Sequence, residues 1–151
     1  MALTFGGAMA APLNMAVSSG PVSLLVYAAE SNGYFKSEAV DVNLVDCSSG
    51  RNCIKLLTDG TVDMATAADV VVAINSFARP DLAILGTLSA SSHQIKLIAR
   101  RSAGIATPEQ VRGKRLATVQ GTSAQYFLDI WLPFPGLDGR MLLPPLVPPD
   151  G

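Results

Sequence analysis

Short apolar runs alternate with segments of helical periodicity along most of the chain. Residues 13–18 (LNMAVS) form an apolar run ended by Ser19-Gly20-Pro21, which predicts a strand followed by a break. Pro21 suits a first helical turn, and Val22, Leu25, Val26 and Ala29 recur at helical spacing. Asn32-Gly33 tolerates the left-handed C-cap and predicts that helix's end. Residues 40–45 (VDVNLV) alternate apolar and polar and predict a second strand. Ser48-Ser49-Gly50 offers an N-cap to a helix whose buried face is Cys53, Ile54, Leu56 and Leu57, stopped by Asp59-Gly60. A third short strand is predicted over residues 62–65. Asp69 then caps a helix through Val72, Ala73 and Phe77, broken at Arg79-Pro80.

Residues 82–88 (LAILGTL) are apolar on both faces, which predicts a fourth strand inside a parallel sheet covered by helices. Residues 94–99 alternate and predict a fifth. Thr107-Pro108-Glu109-Gln110 has the form of a helix start, with Gly113 as its stop. Residues 115–119 predict a sixth strand, and Gly121-Thr122-Ser123 leads into a helix carrying Tyr126, Phe127, Ile130 and Trp131. The expected class is α/β with a mostly parallel sheet. Six of the ten prolines fall within residues 133–151, so the last helix should stop near Leu132 and residues 141–147 could pair only as an edge strand.

Composition narrows the function classes. Hydrophobic residues make up 49% of the 151 positions and charged residues 15%, which argues for a packed globule rather than a disordered chain. The net charge of −1 offers nothing to a nucleic acid or an anionic membrane surface. No apolar run approaches the roughly 20 residues needed to span a bilayer. The first residues are small and apolar but lack a positive n-region, so an exported parent would have its leader removed or lying outside this sequence.

Candidate chemistry is sparse. Cys47 and Cys53, with His93 as the one histidine, fall short of the four ligands of a closed zinc site, so no metal is expected. The cysteines read either as two buried free thiols or as a local disulfide between a strand end and the next helix, the latter fitting an oxidising compartment. No Gly-x-Ser-x-Gly elbow, P-loop or Gly-x-Gly-x-x-Gly fingerprint occurs, and no carboxylate pair stands out, so neither catalysis nor a cofactor is expected. Small polar residues do recur just past the strand ends. They are Ser18 and Ser19 after the first strand, Thr66 and Asp69 after the third, Ser89 and Ser91 after the fourth, and Gly121, Thr122 and Ser123 after the sixth. In open α/β sheets ligands bind beyond the carboxyl ends of the strands, where helix N-termini offer free N–H groups to an anion. Ser48 and Thr107 read as helix caps only.

An ordered series of short motifs resembles one family. The stretch from Tyr27 to Lys36, with Ala29-Glu30 and Gly33-Tyr34-Phe35, is followed by the strand at 40–45. Gly60-Thr61-Val62-Asp63-Met64-Ala65, Val111-Arg112-Gly113-Lys114-Arg115-Leu116-Ala117, Gly121-Thr122-Ser123 and Gly136-Leu137-Asp138 come next in order. Together, from Leu13 to Asp138, they resemble the solute-binding proteins of ABC importers in the nitrate/sulfonate/taurine-type (NMT1/THI5-like) family. The resemblance implies a type II periplasmic-binding fold, with two α/β lobes and a ligand cleft between them. Residues 1–92 would be the first lobe, lacking its return segment, and 93–151 a crossover strand with part of the second lobe. It further implies a small anionic or zwitterionic solute such as a sulfonate, taurine or nitrate, a membrane permease as partner, and a periplasmic or other extracytoplasmic location. A chain that stops part-way through the second lobe would bind its ligand weakly or not at all, and would tend to self-associate through the exposed incomplete lobe. The alternatives are a thiamine-pyrimidine-precursor binding or synthesis protein on the same fold, the sensing half of a LysR-like regulator, and a truncated chain without retained binding.

Overall fold

The computed structural model describes residues 11–138. The chain divides into two compact units. One holds the residues up to Ala67 together with Leu85–Ser89, and the other holds Ala68–Ile84 together with the residues from Ala90 onward.

The first unit is built on a parallel sheet. Strand β1 (Leu13–Ser18) lies between β2 (Val42–Cys47) and β3 (Met64–Ala65), in the order β2-β1-β3. Leu13 faces Val42 and Ser18 faces Cys47 along one ladder, while Met15 faces Met64 and Ala16 faces Ala65 along the other. As the central strand, β1 is covered on both faces, and Ala16 and Val17 are both 0% exposed. A 3-10 turn, Pro21–Ser23, then starts α1 (Leu24–Ser31). Gly33, at φ +71°, takes the left-handed conformation that a side chain resists, and turns the chain into the short α2 (Tyr34–Ser37). Helix α3 (Gly50–Thr58) is capped by Ser49, whose hydroxyl accepts from the Asn52 amide at 3.3 Å. Its apolar face closes the core of Ala16, Cys47, Cys53 and Val62, against which Val45, Leu56, Leu57 and Ala65 pack.

Strand β2 begins two residues later than the alternation predicts. Ala39 adopts φ +56° and the Val40 amide donates back to the Phe35 carbonyl at 2.9 Å, so the turn after α2 consumes the first two residues of the run.

The second unit contains α4 (Asp69–Ser76), α5 (Ser123–Trp131) and two 3-10 turns, Arg101–Ala103 and Pro108–Val111. The predicted helix after Thr107 is thus a single tight turn, held by the Gln110 side chain, which accepts from the amides of Ala106 (2.7 Å) and Thr107 (3.0 Å). Val111, Leu132 and Leu137 form this unit's core, with Ile105, Leu116, Leu128 and Trp131 against them. Helix α5 ends at Trp131, where the prolines place its stop.

Three expected strands do not form. Residues 82–88 and 94–99 carry no sheet ladder, and 115–119 keep only a single bridge at Arg115. Ile84, Leu85 and Ile98 are 75%, 77% and 86% exposed. A strand is a relation to a partner rather than a property of one segment, and among the described residues none supplies the neighbour these runs need. The class remains α/β with a parallel sheet, of three strands among the described residues where the pattern predicts six. The edge-strand expectation at 141–147 lies outside the described residues. Among them no helix is long and apolar enough to cross a membrane.

Candidate ligand-binding site

Because β1, β2 and β3 run parallel, their carboxyl ends share one edge of the sheet, and polar groups converge there. The Ser18 amide donates to Thr66 Oγ1 at 3.1 Å, and the Ser18 and Ser23 hydroxyl oxygens lie 3.2 Å apart. The backbone closes the same corner, with Thr66 N–H donating to the Ala16 carbonyl (2.9 Å) and Ser19 N–H to the Cys47 carbonyl (3.2 Å). Ser18, Ser23 and Thr66 are 9%, 1% and 8% exposed, against the usual preference of such residues for the surface. Buried hydroxyls must be bonded to something, and these are bonded chiefly to one another. The arrangement carries hydrogen-bond donors and no formal charge. Among the described residues neither Ser18 nor Thr66 has a base as partner, and the corner can hold an acceptor group.

The structure thus joins Ser18 with Thr66 and adds Ser23. Ser19 is exposed beside them, and Ser89 lies on an exposed stretch of the same unit. Ser23 follows Gly20-Pro21, and in sequence it is only one more hydroxyl in a first helical turn. Its burial depends on where α1 leaves the sheet.

In the second unit, Asp69 is exposed at the start of α4, and its carboxylate accepts from the Val70 amide at 2.8 Å. Ser91 is exposed and accepts from the His93 amide at 3.3 Å, while the His93 ring meets the Ser92 hydroxyl at 2.8 Å. His93 is therefore engaged within its own loop. Gly121, Thr122 and Ser123 stand at the N-terminus of α5. Gly121 adopts φ +69°, and its amide donates to Gln125 Oε1 at 2.8 Å. The Thr122 hydroxyl donates to the Val119 carbonyl at 2.6 Å. The hydroxyl oxygens of Thr118 and Ser123 are buried with no hydrogen-bond partner among the described residues. A cavity of about 220 Å³ in this unit is lined by Asp129, Leu132, Pro133, Leu137 and Asp138. Its two carboxylates would repel an anion.

Cys47 ends β2 and Cys53 lies in the first turns of α3, with their Cα atoms 5.5 Å apart and the sulfurs joined across the intervening turn. Nearby, the Tyr27 hydroxyl donates to Asp46 at 3.1 Å; burial, and then that carboxylate, hold the phenol proton above its ordinary value. In the second unit the Thr107 hydroxyl lowers the Glu109 carboxyl, and the Arg79 guanidinium, bonded at 2.9 and 2.8 Å, brings Asp81 down to about 2. Among the described residues no group of three or more His, Cys, Asp or Glu is arranged to hold a metal.

Solved structures of periplasmic binding proteins share this parallel α/β arrangement. The alkanesulfonate-binding protein SsuA from Xanthomonas axonopodis pv. citri, bound to MOPS, aligns over 95% of this chain with a TM-score of 0.66 and 20% identity. The periplasmic aliphatic sulphonate binding protein SsuA from Escherichia coli aligns over 90% with a TM-score of 0.59 and 17% identity. The present chain covers 50% and 44% of those two proteins, about half their length. The fold is therefore a partial type II periplasmic-binding fold. The NMT1/THI5-like family model matches residues 21–137, and the chain belongs to that family. No curated protein matches it in sequence.

Proposed function

We propose that this chain is part of the extracytoplasmic solute-binding component of an ABC importer, working with a membrane permease rather than as an enzyme. The solute is a small anion or zwitterion, of the sulfonate, taurine or nitrate kind. The observation that carries this reading is the buried corner of Ser18, Ser23 and Thr66 at the carboxyl edge of the parallel sheet. Hydroxyl donors without a base among their partners suit recognition of an oxyanion rather than its chemical conversion. Ser19, Asp69, Ser89, Ser91 and the Gly121-Thr122-Ser123 turn are the further ligand contacts we assign. Residues 1–92 are assigned to the first lobe, and 93–151 to a crossover and part of the second.

Titration of the chain with methanesulfonate, taurine and nitrate, followed by amide chemical shifts, tests this. Shifts confined to Ser18, Ser19, Thr66, Asp69, Ser89, Ser91 and Gly121 to Ser123 are expected. If all three anions leave those amides unmoved at millimolar concentration, the reading fails. A response to a hydroxymethylpyrimidine alone would favour the thiamine-precursor alternative.

A further inference from the structure

Ser23 is 1% exposed, the most completely buried polar side chain among the described residues. Its amide already donates to the Gly20 carbonyl at 3.1 Å. Its hydroxyl has one partner among the described residues, Ser18 Oγ at 3.2 Å, and either oxygen could be the donor. Physical chemistry decides between the two orders. A hydroxyl carries one proton and two lone pairs, and a buried donor left unbonded costs more than an idle lone pair. If Ser18 donated, the Ser23 proton would have no acceptor. The order in which Ser23 donates and Ser18 Oγ accepts leaves the unbonded proton on the less deeply buried residue, and is the one favoured.

That order has a consequence at the rim. Ser18 keeps its own hydroxyl proton, and Ser18 is the more accessible of the pair, 9% against 1% exposed. Thr66 is in the same condition, because its oxygen accepts the Ser18 amide and its proton has no acceptor among the described residues. Both uncommitted protons sit at strand carboxyl ends.

We propose that Ser23 is a positioning residue that fixes the proton order from Ser23 to Ser18 to ligand, so that the corner acts as a donor and prefers an acceptor-only head group to a donor-bearing isostere. The inference rests on the ligand-binding reading above. It adds that selectivity is set by a side chain behind the ligand contacts.

Two measurements on the full chain test it. In mixed light and heavy water, a slowly exchanging serine hydroxyl splits its own Cβ carbon resonance. In the ligand-free protein the Ser23 Cβ should split and the Ser18 Cβ should average. Averaging at both, splitting at both, or the reverse pattern overturns the order. The second measurement compares 1-butanesulfonate with 1-butanesulfonamide. Ser23→Ala should lower the preference for the sulfonate by roughly three- to tenfold, the worth of one hydrogen bond. Ser23→Thr, which restores the hydroxyl, should recover it. An unchanged preference in a folded Ser23→Ala protein overturns the positioning role. A parent chain that binds neither probe counts against the ligand-binding reading, while the carbon splitting still tests the proton order.

Discussion

Asp63 grips Asn14 across the β1–β3 edge. Its carboxylate Oδ2 accepts from the Asn14 backbone amide at 2.8 Å and from the Asn14 side chain at 3.4 Å, while its own amide donates to the Asn14 carbonyl at 2.9 Å. Asn43 extends the row, donating to Asn14 Oδ1 at 3.4 Å. All of this lies at the amino end of β1, opposite the hydroxyl corner. The aspartate of the Gly60-to-Ala65 motif is thus a sheet clamp and not a ligand contact. Asp63→Ala should lower unfolding stability by about 1 kcal/mol, the scale of an exposed charge-assisted bond. Urea denaturation reads it, and an unchanged midpoint would remove the clamp.

The Cys47–Cys53 pair closes a short loop, joining β2 to α3. Alkylation of the untreated, denatured protein should find no free thiol. Reduction should lower stability by about 2 kcal/mol, by loop-closure entropy for so short a loop. Ready alkylation of both cysteines would restore the free-thiol alternative.

Asp81 is held down to about 2 by the two bonds from Arg79. A depressed carboxyl stabilises the fold at pH above its ordinary value, and that contribution is lost as pH falls towards 2. Carbon-detected titration should place the Asp81 midpoint near 2, and Arg79→Ala should raise it towards the ordinary aspartate range. An Asp81 midpoint that Arg79→Ala leaves in place would contradict the pairing.

Ser123 offers the opposite test. Its buried hydroxyl has no partner among the described residues, so Ser123→Ala breaks no bond there. Stability should change by no more than about 0.5 kcal/mol, or rise. Loss of the anion-induced shift at Gly121 in that variant would mark the hydroxyl as a ligand contact. A loss of stability above about 2 kcal/mol would show that the group is bonded after all.

The exposed apolar side chains of 82–98 should drive association. Light scattering is expected to show mass rising with concentration, and Leu85→Lys together with Ile98→Lys should suppress the rise. A constant mass for the parent chain would refute it.

Local pattern by itself settled β1, the break at Ser19 to Pro21, the stop at Asn32-Gly33 and the proline stop after Trp131, since each depends on residues within one or two turns; it chose Ser48 as the cap of α3, where Ser49 is the N-cap and Ser48 accepts from the Asn52 side chain instead. The ordered motifs also settled the family, because they record order and spacing along the chain. Where pairing was required, pattern fell short. Residues 82–88 have the composition of a central strand, yet a ladder needs a neighbour, and no neighbour is encoded in the segment. Placement among the hydroxyls was equally out of reach. Ser18 and Thr66 are 48 positions apart and Ser23 lies in a helix start, so only the parallel register brings them into one corner. Periodicity reports which face of an element is apolar; which polar groups share that buried edge is fixed by how the elements pack.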